Sequence, residues 1–583
     1  MTPRPLISSA IPSRLLVAAT WLMTIGSASR ISADDEFHSS GLSAQSRGGM
    51  VVSVSAPATE IGTRVLEQGG NAVDAAVATA FALAVTWPEA GNIGGGGFML
   101  VHPADGEPPT VFDYREMAPA GATVDMFASG PVNPYRMIGV PGTVRGLELA
   151  HRKFGKLAWQ DVVAPAATLA DEGFEIDESL AASLNRGVQQ FHHRPGFLAA
   201  FGKHQAMAEW IAGDRLVQQD LAQTLREIVS QGADAFYRGA TADLLVAEMR
   251  RGGGLITRED LAAYLAKERV PIHGKFRGYD VFAPPPPSSG GITLIQLLNL
   301  AEHFDLSQQP RWSPRTLHLM TESMKLAYLQ RAKYLGDPDF IEIPLRLTAR
   351  EFTDELAKKI SLTAATSSAA LGAEVLTPGE GSQTTHFSVI DRQGMAVSNT
   401  YTLENAFGSG IVVRDAGFLL NDEMGDFNPV AGVTTVDGRI GTKPNLVAPR
   451  KRMLSSMCPV IVSQNGRVVV ITGSPGGRTI INTVFCILIN VLEYGMPLRD
   501  AVDAPRHHHQ WMPDRVRVEA GLLTDHQDAL VQLRAMGHQI GEPAVEQGDA
   551  HSIAVNPVTG IRYGEADRRR HGWAASAAPN PRQ

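Results

Sequence analysis

Cysteine is almost missing from this chain: two in 583 residues, Cys458 and Cys486, both in apolar company. That excludes a disulfide-stapled scaffold and a multi-cysteine metal site; two buried free thiols are expected. An excess of positive charge is missing too. A net charge of −8 and a pI near 6.1 leave no electrostatic footprint for nucleic acid or an anionic membrane. The basic clusters, Arg450-Lys451-Arg452 and Arg568-Arg569-Arg570, are short and read as solvated loop charge. Beyond the first 33 residues no apolar run reaches membrane length; Val484–Leu492 is short, contains Asn490, and reads as buried core. The four successive glycines Gly94–Gly97 lack the lysine and hydroxyl residue of a phosphate loop and precede a strand instead of opening a helix. Close backbone packing accounts for them better. His507-His508-His509 lacks what a metal site needs, because adjacent histidines cannot all face one ion and no acidic or cysteine spacing completes a set. A structural or surface role is expected there, and neither a metal nor a cofactor is expected anywhere.

What is present is ample apolar material, 44% hydrophobic against 19% charged, enough for a large core. Residues 1–33 read as a signal peptide: Arg4 and Arg14, the apolar stretch Leu15–Ile25, then small residues suited to cleavage near residue 28 or 33. Export to the periplasm or medium is expected, with no membrane span in the mature form; a retained interfacial anchor is the weaker alternative. From residue 34 onward, patterns for helices and strands mix in both halves, without internal repeat or isolating linker. Met50–Ser55 reads as a strand, 59–85 as a long helix interrupted at Gly69-Gly70-Asn71, and 292–303 and 314–335 as further helices. Val468–Thr472 is a strong strand running into Gly473-Ser474-Pro475-Gly476-Gly477, with 480–494 a buried helix after it. The pattern predicts sheets covered by helices in one interleaved unit.

The most informative segment is Gln383-Thr384-Thr385-His386-Phe387-Ser388-Val389-Ile390. It follows residues 361–383, a stretch rich in Ser, Ala, Thr and Gly without periodicity. Two β-type runs joined through Asp391-Arg392-Gln393-Gly394 then predict a hairpin, with Thr384 heading one strand and Thr402 near the far end of its partner. A cut before Thr384 would place a nucleophilic hydroxyl and a free α-amine, a base with a reference pKa of about 8, on one residue. On pattern alone, a linker leading into an ordinary hairpin is the simpler reading.

The ordered motif set reverses that preference. Gly69–Ala76, Gly91–Leu100, Asp113-Tyr114-Arg115-Glu116-Met117-Ala118-Pro119, Thr384-Thr385-His386, Leu420–Phe427, Leu454–Met457 and Gly473–Gly477 occur in the order seen in one family. Over nearly the whole chain the sequence resembles the γ-glutamyltranspeptidases (glutathione hydrolase proenzymes), which are N-terminal nucleophile hydrolases. The resemblance implies an α+β fold, a four-layer αββα sandwich. It also implies cleavage between Gln383 and Thr384 into a large subunit (34–383) and a 200-residue small subunit (384–583) that form one interleaved heterodimeric domain. Thr384 matches the nucleophile, Thr402 the supporting hydroxyl, and Gly476 and Gly477 the oxyanion-binding amides. Arg115, Glu404, Glu423, Asp426, Ser455 and Ser456 match the residues that hold the donor's amino-acid end. Singly, a surface ion pair for Arg115, a turn for Ser455-Ser456 and a helix cap for Asp426 would be the ordinary readings.

Two departures from the family's pattern stand out. Glu404 replaces an asparagine of well-known bacterial members, and the lid stretch Asn428–Leu446 lacks a latch tyrosine, Val436 and Asp437 lying near its place. The implied activity is transfer of a γ-glutamyl group from a glutathione-like small molecule to water or to an amino acid or peptide. The alternatives are another amidohydrolase of the superfamily, such as a cephalosporin acylase, or a non-catalytic exported binding protein of the same fold.

Overall fold

The computed structural model describes residues 38–39, 41–128, 132–203, 208–372, 383–432 and 441–577. The predicted signal peptide and the center of the predicted lid, Val436 and Asp437 included, lie outside these residues.

Two antiparallel sheets organise the chain. The seven-stranded sheet runs, edge to edge, Trp573–Ser576, Met50–Ser53, Gln383–Ile390, Ala396–Glu404, Gly96–His102, Thr110–Asp113, Lys267–Arg269. The eight-stranded sheet runs His38–Ser39, Ser43–Ser46, Arg562–Ala566, His551–Val555, Arg467–Thr472, Val460–Gln464, Tyr279–Ala283, Ile272–Phe276. Strand alternation sorts side chains between two cores. Val51, Met99, Val101, Phe387 and Val389 pack with the helices Ala56–Glu67, Ala72–Thr86 and Trp159–Glu172. Their neighbours Met50, Val52, Phe98 and Leu100 face the other way, into a core shared with Val460–Val462, Val470, Ile471 and the helices Gly290–His303, Pro314–Tyr334 and Thr479–Leu488. Side chains one residue apart on a strand point to opposite faces, so each central strand is buried on both sides and the result is helix, sheet, sheet, helix. Polar contacts also bridge the sheets: Ser388 Oγ donates to the His551 carbonyl at 2.7 Å, and Ser398 Oγ to that of Thr472 at 3.1 Å.

The predicted long helix is two helices, as the glycine interruption suggested. Asn71 caps the second, accepting from the Val73 and Asp74 amides at 3.0 Å while Asp74 takes the Asn71 N–H. In both sheets, strands from before residue 384 sit beside strands from after it. Gln383–Ile390, for example, pairs with Met50–Ser53 on one side and Ala396–Glu404 on the other. Separating the two portions would expose sheet edges and both cores.

Both cysteines are buried free thiols. The three histidines are buried as well: His508 lies within hydrogen-bond distance of Asn482 Nδ2 and Gln510 Oε1, and His509 pairs with Asp514 at 3.2 Å. Burial pushes the His508 ring down to about 3, so it is a neutral structural group. Among the described residues no helix is long and apolar enough to cross a membrane.

Candidate active site

The hairpin brings the predicted threonines together. Gln383 pairs with Glu404 and Thr385 with Tyr401, so the register slips at Thr384, with Thr402 and Leu403 opposite it. Such a bulge re-aims side chains where regular pairing would stack them. Here Thr384 Oγ1 donates to Thr402 Oγ1 at 3.4 Å, and Thr402 Oγ1 accepts the Glu404 N–H at 2.8 Å. Glu404 has φ +83°, left-handed backbone that costs a non-glycine residue roughly 1–3 kcal/mol and is held by its surroundings. The carbonyl of Thr402 accepts from Asn92 Nδ2 at 2.8 Å, and Asn92 Oδ1 in turn accepts the Gly95 N–H and the Thr143 hydroxyl. The glycine run is what lets this happen. A Cβ on Gly95 would stand 2.0 Å from the Thr402 carbonyl oxygen, and one on Gly94 2.1 Å from that of Leu419. Close packing, and no phosphate cradle, explains those glycines.

His386, two residues on, belongs to the sheet interior. Its ring contacts Thr400 Oγ1 at 2.9 Å and Ser388 Oγ at 3.1 Å, and burial holds it well below the usual imidazole range. It is turned to neighbours other than Thr384 and stays neutral.

Gly476 and Gly477 end the Arg467–Thr472 strand's exit loop with φ +128° and +54°. A Cβ on Gly476 would lie 2.4 Å from Thr479 Oγ1. Their carbonyls accept from Thr479 and Ile480, opening the next helix, whereas neither of their own N–H groups donates a hydrogen bond among the described residues. Unspent amide donors on a positive-φ turn are what an oxyanion requires.

The predicted recognition residues form one buried ionic cluster. Arg115, 1% exposed, pairs through Nη1 with Glu423, through Nη2 with Asp426, and more loosely with Glu116 at 3.4 Å. Its Nε and Nη2 also reach the carbonyls of Met453 and Leu454, immediately before Ser455-Ser456. The ordinary reading of Arg115 as a surface ion pair is therefore wrong. Carboxylate oxygens of Glu404, Glu423 and Asp426 lie within 4.8 Å of one another, close enough to hold a cation, and Arg115 supplies that cation. Burial, then Asp426 and Glu423, push the Glu404 carboxyl well above its ordinary range. Burial and Glu423 do the same to Glu116. Glu423 is also raised by burial, against the pull of Arg115, whose own proton is held more firmly because these neighbours outweigh its desolvation.

Ser455 and Ser456 are fastened from behind. The Ser455 carbonyl accepts both the N–H (2.7 Å) and the hydroxyl (2.6 Å) of Ser289, and Arg331 reaches Ser456 Oγ at 2.9 Å and Ser289 Oγ at 2.8 Å. Asn445 Nδ2 donates to the Asp426 carbonyl at 2.6 Å, which ties Asp426 to the base of the predicted lid, where Asn428 and Leu446 pair. Sequence reasoning assigned no role to Glu116, Asn92, Ser289, Arg331 or Asn445. Glu116 and Asn92 lie inside quoted motifs; the others carry no local signal.

The structure thus places Thr384, Thr402 and Glu404 on one hairpin end, with Glu404 belonging both to the strand of Thr402 and to the charge cluster. The family model described as Gamma-glutamyltranspeptidase matches residues 58–577. The chain is 44% identical over 546 residues to the glutathione hydrolase proenzyme of Escherichia coli (strain K12), covering 92% of each, and 39% identical over 553 residues to that of Bacillus subtilis (strain 168), covering 91% of each. Among solved structures, a cephalosporin acylase from Bacillus halodurans superposes with a TM-score of 0.79 at 27% identity, over 91% of this chain and 95% of that one. The γ-glutamyltranspeptidase of Helicobacter pylori gives 0.52 at 41% identity, over 54% and 91%. With the family model spanning nearly all of its sandwich and relatives above 30% identity along most of its length, this chain belongs to the γ-glutamyltranspeptidase family.

Proposed function

We propose that this enzyme cuts its own chain between Gln383 and Thr384 and then cleaves γ-glutamyl amides through an ester on Thr384. The observation that carries the reading is the bulged hairpin end, where Thr384 stands beside Thr402 and Glu404 extends the same strand into the Arg115 cluster. Release of the α-amine gives Thr384 a base near neutrality. The amine takes the hydroxyl proton as Oγ1 attacks the γ-carbonyl, and the oxyanion forms against the amides of Gly476 and Gly477. The proton then passes to the departing amine, leaving a γ-glutamyl ester. Water, or an acceptor amine deprotonated by the same base, attacks that ester and restores the threonine. Thr402 orients the Thr384 hydroxyl.

The donor's α-carboxylate and α-ammonium match the cluster's charges. Arg115 takes the carboxylate in a fork, with Ser455 and Ser456 as further donors, while Asp426, Glu423 and Glu404 take the ammonium. Because Arg115 pairs with Glu423 and Asp426, the donor enters by exchange: each of its charges replaces one already there, so no charge is left buried and unpaired. That exchange favours an amino-acid-shaped acyl group over a dicarboxylic one. The donor is thus a small glutathione-like compound and the acceptor an amino acid or peptide. The active species is a heterodimer of fragments 34–383 and 384–583, exported after loss of residues 1–33.

Intact-mass spectra of purified protein, with the N-terminus of each fragment read, test the cut: one fragment should begin at Thr384. Turnover of γ-glutamyl-p-nitroanilide against the glutaryl analogue tests the acyl group. Preference for the glutaryl compound would move the enzyme to the acylase side of the superfamily.

A further inference from the structure

We propose that His318, Glu322 and His538 form a binding site for a divalent transition ion, zinc fitting the donor set best, that clips the two proposed fragments together. All three side chains are buried, and one ligand atom from each lies within 4.8 Å of the others. His318 and Glu322 are four residues apart on the helix Pro314–Tyr334, hence on one face. His538 follows the helix Gln527–Ala535 and meets them from the other side of the cut.

The tautomer of His318 is fixed by its surroundings. Its Nε2 lies 2.7 Å from the Ser361 carbonyl, which can only accept, so the proton is on Nε2 and the Nδ1 lone pair faces His538 Nε2 at 2.8 Å. An imidazole N–H on a backbone carbonyl, with the other nitrogen aimed at a second ligand, is the orientation metal-binding histidines use. Two buried atoms lack hydrogen bonds: Glu322 Oε1, whose ionic neighbour is Lys325 Nζ at 2.9 Å, and His538 Nδ1. Two imidazoles and one carboxylate form a set that zinc accepts, with water as fourth ligand. Bond lengths of about 2.1 Å in a tetrahedral set would place the two ring nitrogens roughly 3.4 Å apart, so the rings part by about 0.6 Å from their 2.8 Å separation as an ion replaces the shared proton.

Charge around the site is mixed. Lys325 opposes a cation, but it also contacts the Thr366 carbonyl at 2.9 Å and Asp514 at 3.7 Å, partners it keeps when Glu322 turns to an ion. Asp514 in turn pairs with His509, and the rings of His507 and His509 both lie close enough to His538 to disfavour positive charge there. The site is not the catalytic one: His318 lies thirteen residues along its helix from Arg331, the residue that holds Ser456, a rise of about 20 Å.

Its place suggests its use. Residues 361–368, which precede the proposed cut by about fifteen residues or more, are fastened here near the end of the proposed large fragment: Ser361 to His318, the Ala365 N–H to Met536 at 2.7 Å, the Thr366 N–H to Glu322 at 3.2 Å, and the Ser368 N–H to Asp514 at 2.8 Å. An ion held by His318 and Glu322 from one fragment and His538 from the other would anchor that end once the chain is cut. This consequence, though not the site, rests on the proposed cleavage.

The test is cobalt titration of chelator-treated full-length protein. The wild type should bind one equivalent of Co2+ with the visible absorption of a nitrogen-ligated, low-coordinate ion, and Zn2+ should displace it. His318→Gln and His538→Gln should each weaken binding at least about 10-fold, with circular dichroism showing the fold retained. Glu404→Gln should leave cobalt binding unchanged, since the only other cluster of this kind among the described residues contains Glu404. Thr384→Ala should bind cobalt like the wild type whether or not it is cut, which separates the site from the cleavage. A wild type without the cobalt spectrum, a spectrum that survives both histidine variants, or one lost in Glu404→Gln would overturn the proposal.

Discussion

At one end of the proposed active site the groups assigned to the chemistry are neutral: two threonine hydroxyls, a carbonyl braced by Asn92, and the amides of two glycines. At the other end, four carboxyl groups surround one guanidinium, all nearly sealed from water. The contrast follows from what each end must do. A catalytic α-amine has to lose its proton near neutrality, and a nearby carboxylate would hold that proton on. The recognition end must select a zwitterion, and only fixed charges of both signs can do that at close range. Glu404 is the junction, with its N–H on the Thr402 hydroxyl and its carboxyl in the charge cluster. Burial and like-charge neighbours raise the Glu404 carboxyl well above the ordinary range, so the negative charge nearest Thr384 is the one most readily neutralised, which lets the two ends coexist.

The largest break comes at the neutral end. Thr384→Ala removes the proposed nucleophile, so we expect one uncut band on a denaturing gel and activity at least about 1,000-fold below wild type. A variant still cleaved at residue 384 would remove Thr384 as the agent of its own release. At the charged end the loss should be graded and of a different kind. Arg115→Lys keeps the charge but loses the fork that spans Glu423 and Asp426. Steady-state kinetics should show donor KM up by about 30- to 150-fold, the equivalent of about 2–3 kcal/mol, with self-cleavage intact. A fall in kcat at unchanged KM would mean that Arg115 serves the chemistry instead of the binding.

The junction residue should show itself in pH dependence. An ionised carboxylate binds the donor's ammonium and a protonated one does not, so groups titrating above their ordinary range should make donor KM rise as pH falls through mildly acidic values. Glu404→Gln removes one of the crowded carboxyls and its repulsion. Its acid limb should therefore lie at lower pH than that of the wild type, with the alkaline limb, set by the Thr384 amine, unmoved. A parallel shift of both limbs would show that the two ends are coupled more tightly than this geometry implies.

Much of this was legible before any coordinates, and the limit has a physical cause. Strand alternation and the Gln393-Gly394 turn region foretold the hairpin, and the glycine run foretold close packing, because both signals are local. The bulge at Thr384 and the left-handed turn at Glu404 were not foretold; they arise where strands from both portions of the chain converge. Asn92 grips a carbonyl 310 residues away, and Arg331 braces a serine 125 residues away. Such pairings leave no trace in a window of ten residues. The histidine triplet shows the same limit from the other side: its neighbours Asn482, Gln510 and Asp514 decide its burial. The charge cluster was foreseen as a set of substrate contacts, whereas its members pair first with one another.

The smallest expected effect separates this cluster from the rest of the protein's electrostatics. Burial pushes the Asp422 carboxyl up to about 6, above an ordinary value near 4, although it accepts from the Asn405 N–H and side chain at 3.2 and 2.7 Å. Between those two values the folded chain holds a proton that the unfolded chain has released. Stability should therefore fall as pH rises from about 4 to 6, with a slope of up to one proton. Carboxylates such as Asp339, Asp514 and Asp567 behave oppositely. Their partners, chiefly Arg269, His509 and Arg506, outweigh burial and hold them below the ordinary range, so their contribution is lost only as pH falls below about 4. The two windows barely overlap. Denaturant titrations of the uncut Thr384→Ala chain at pH 4.5 and 6.5, compared with the same chain carrying Asp422→Asn, should show the mildly acidic slope in the first and its loss in the second. An unchanged slope would assign that proton to Glu404 and Glu423, the deeper part of the recognition end.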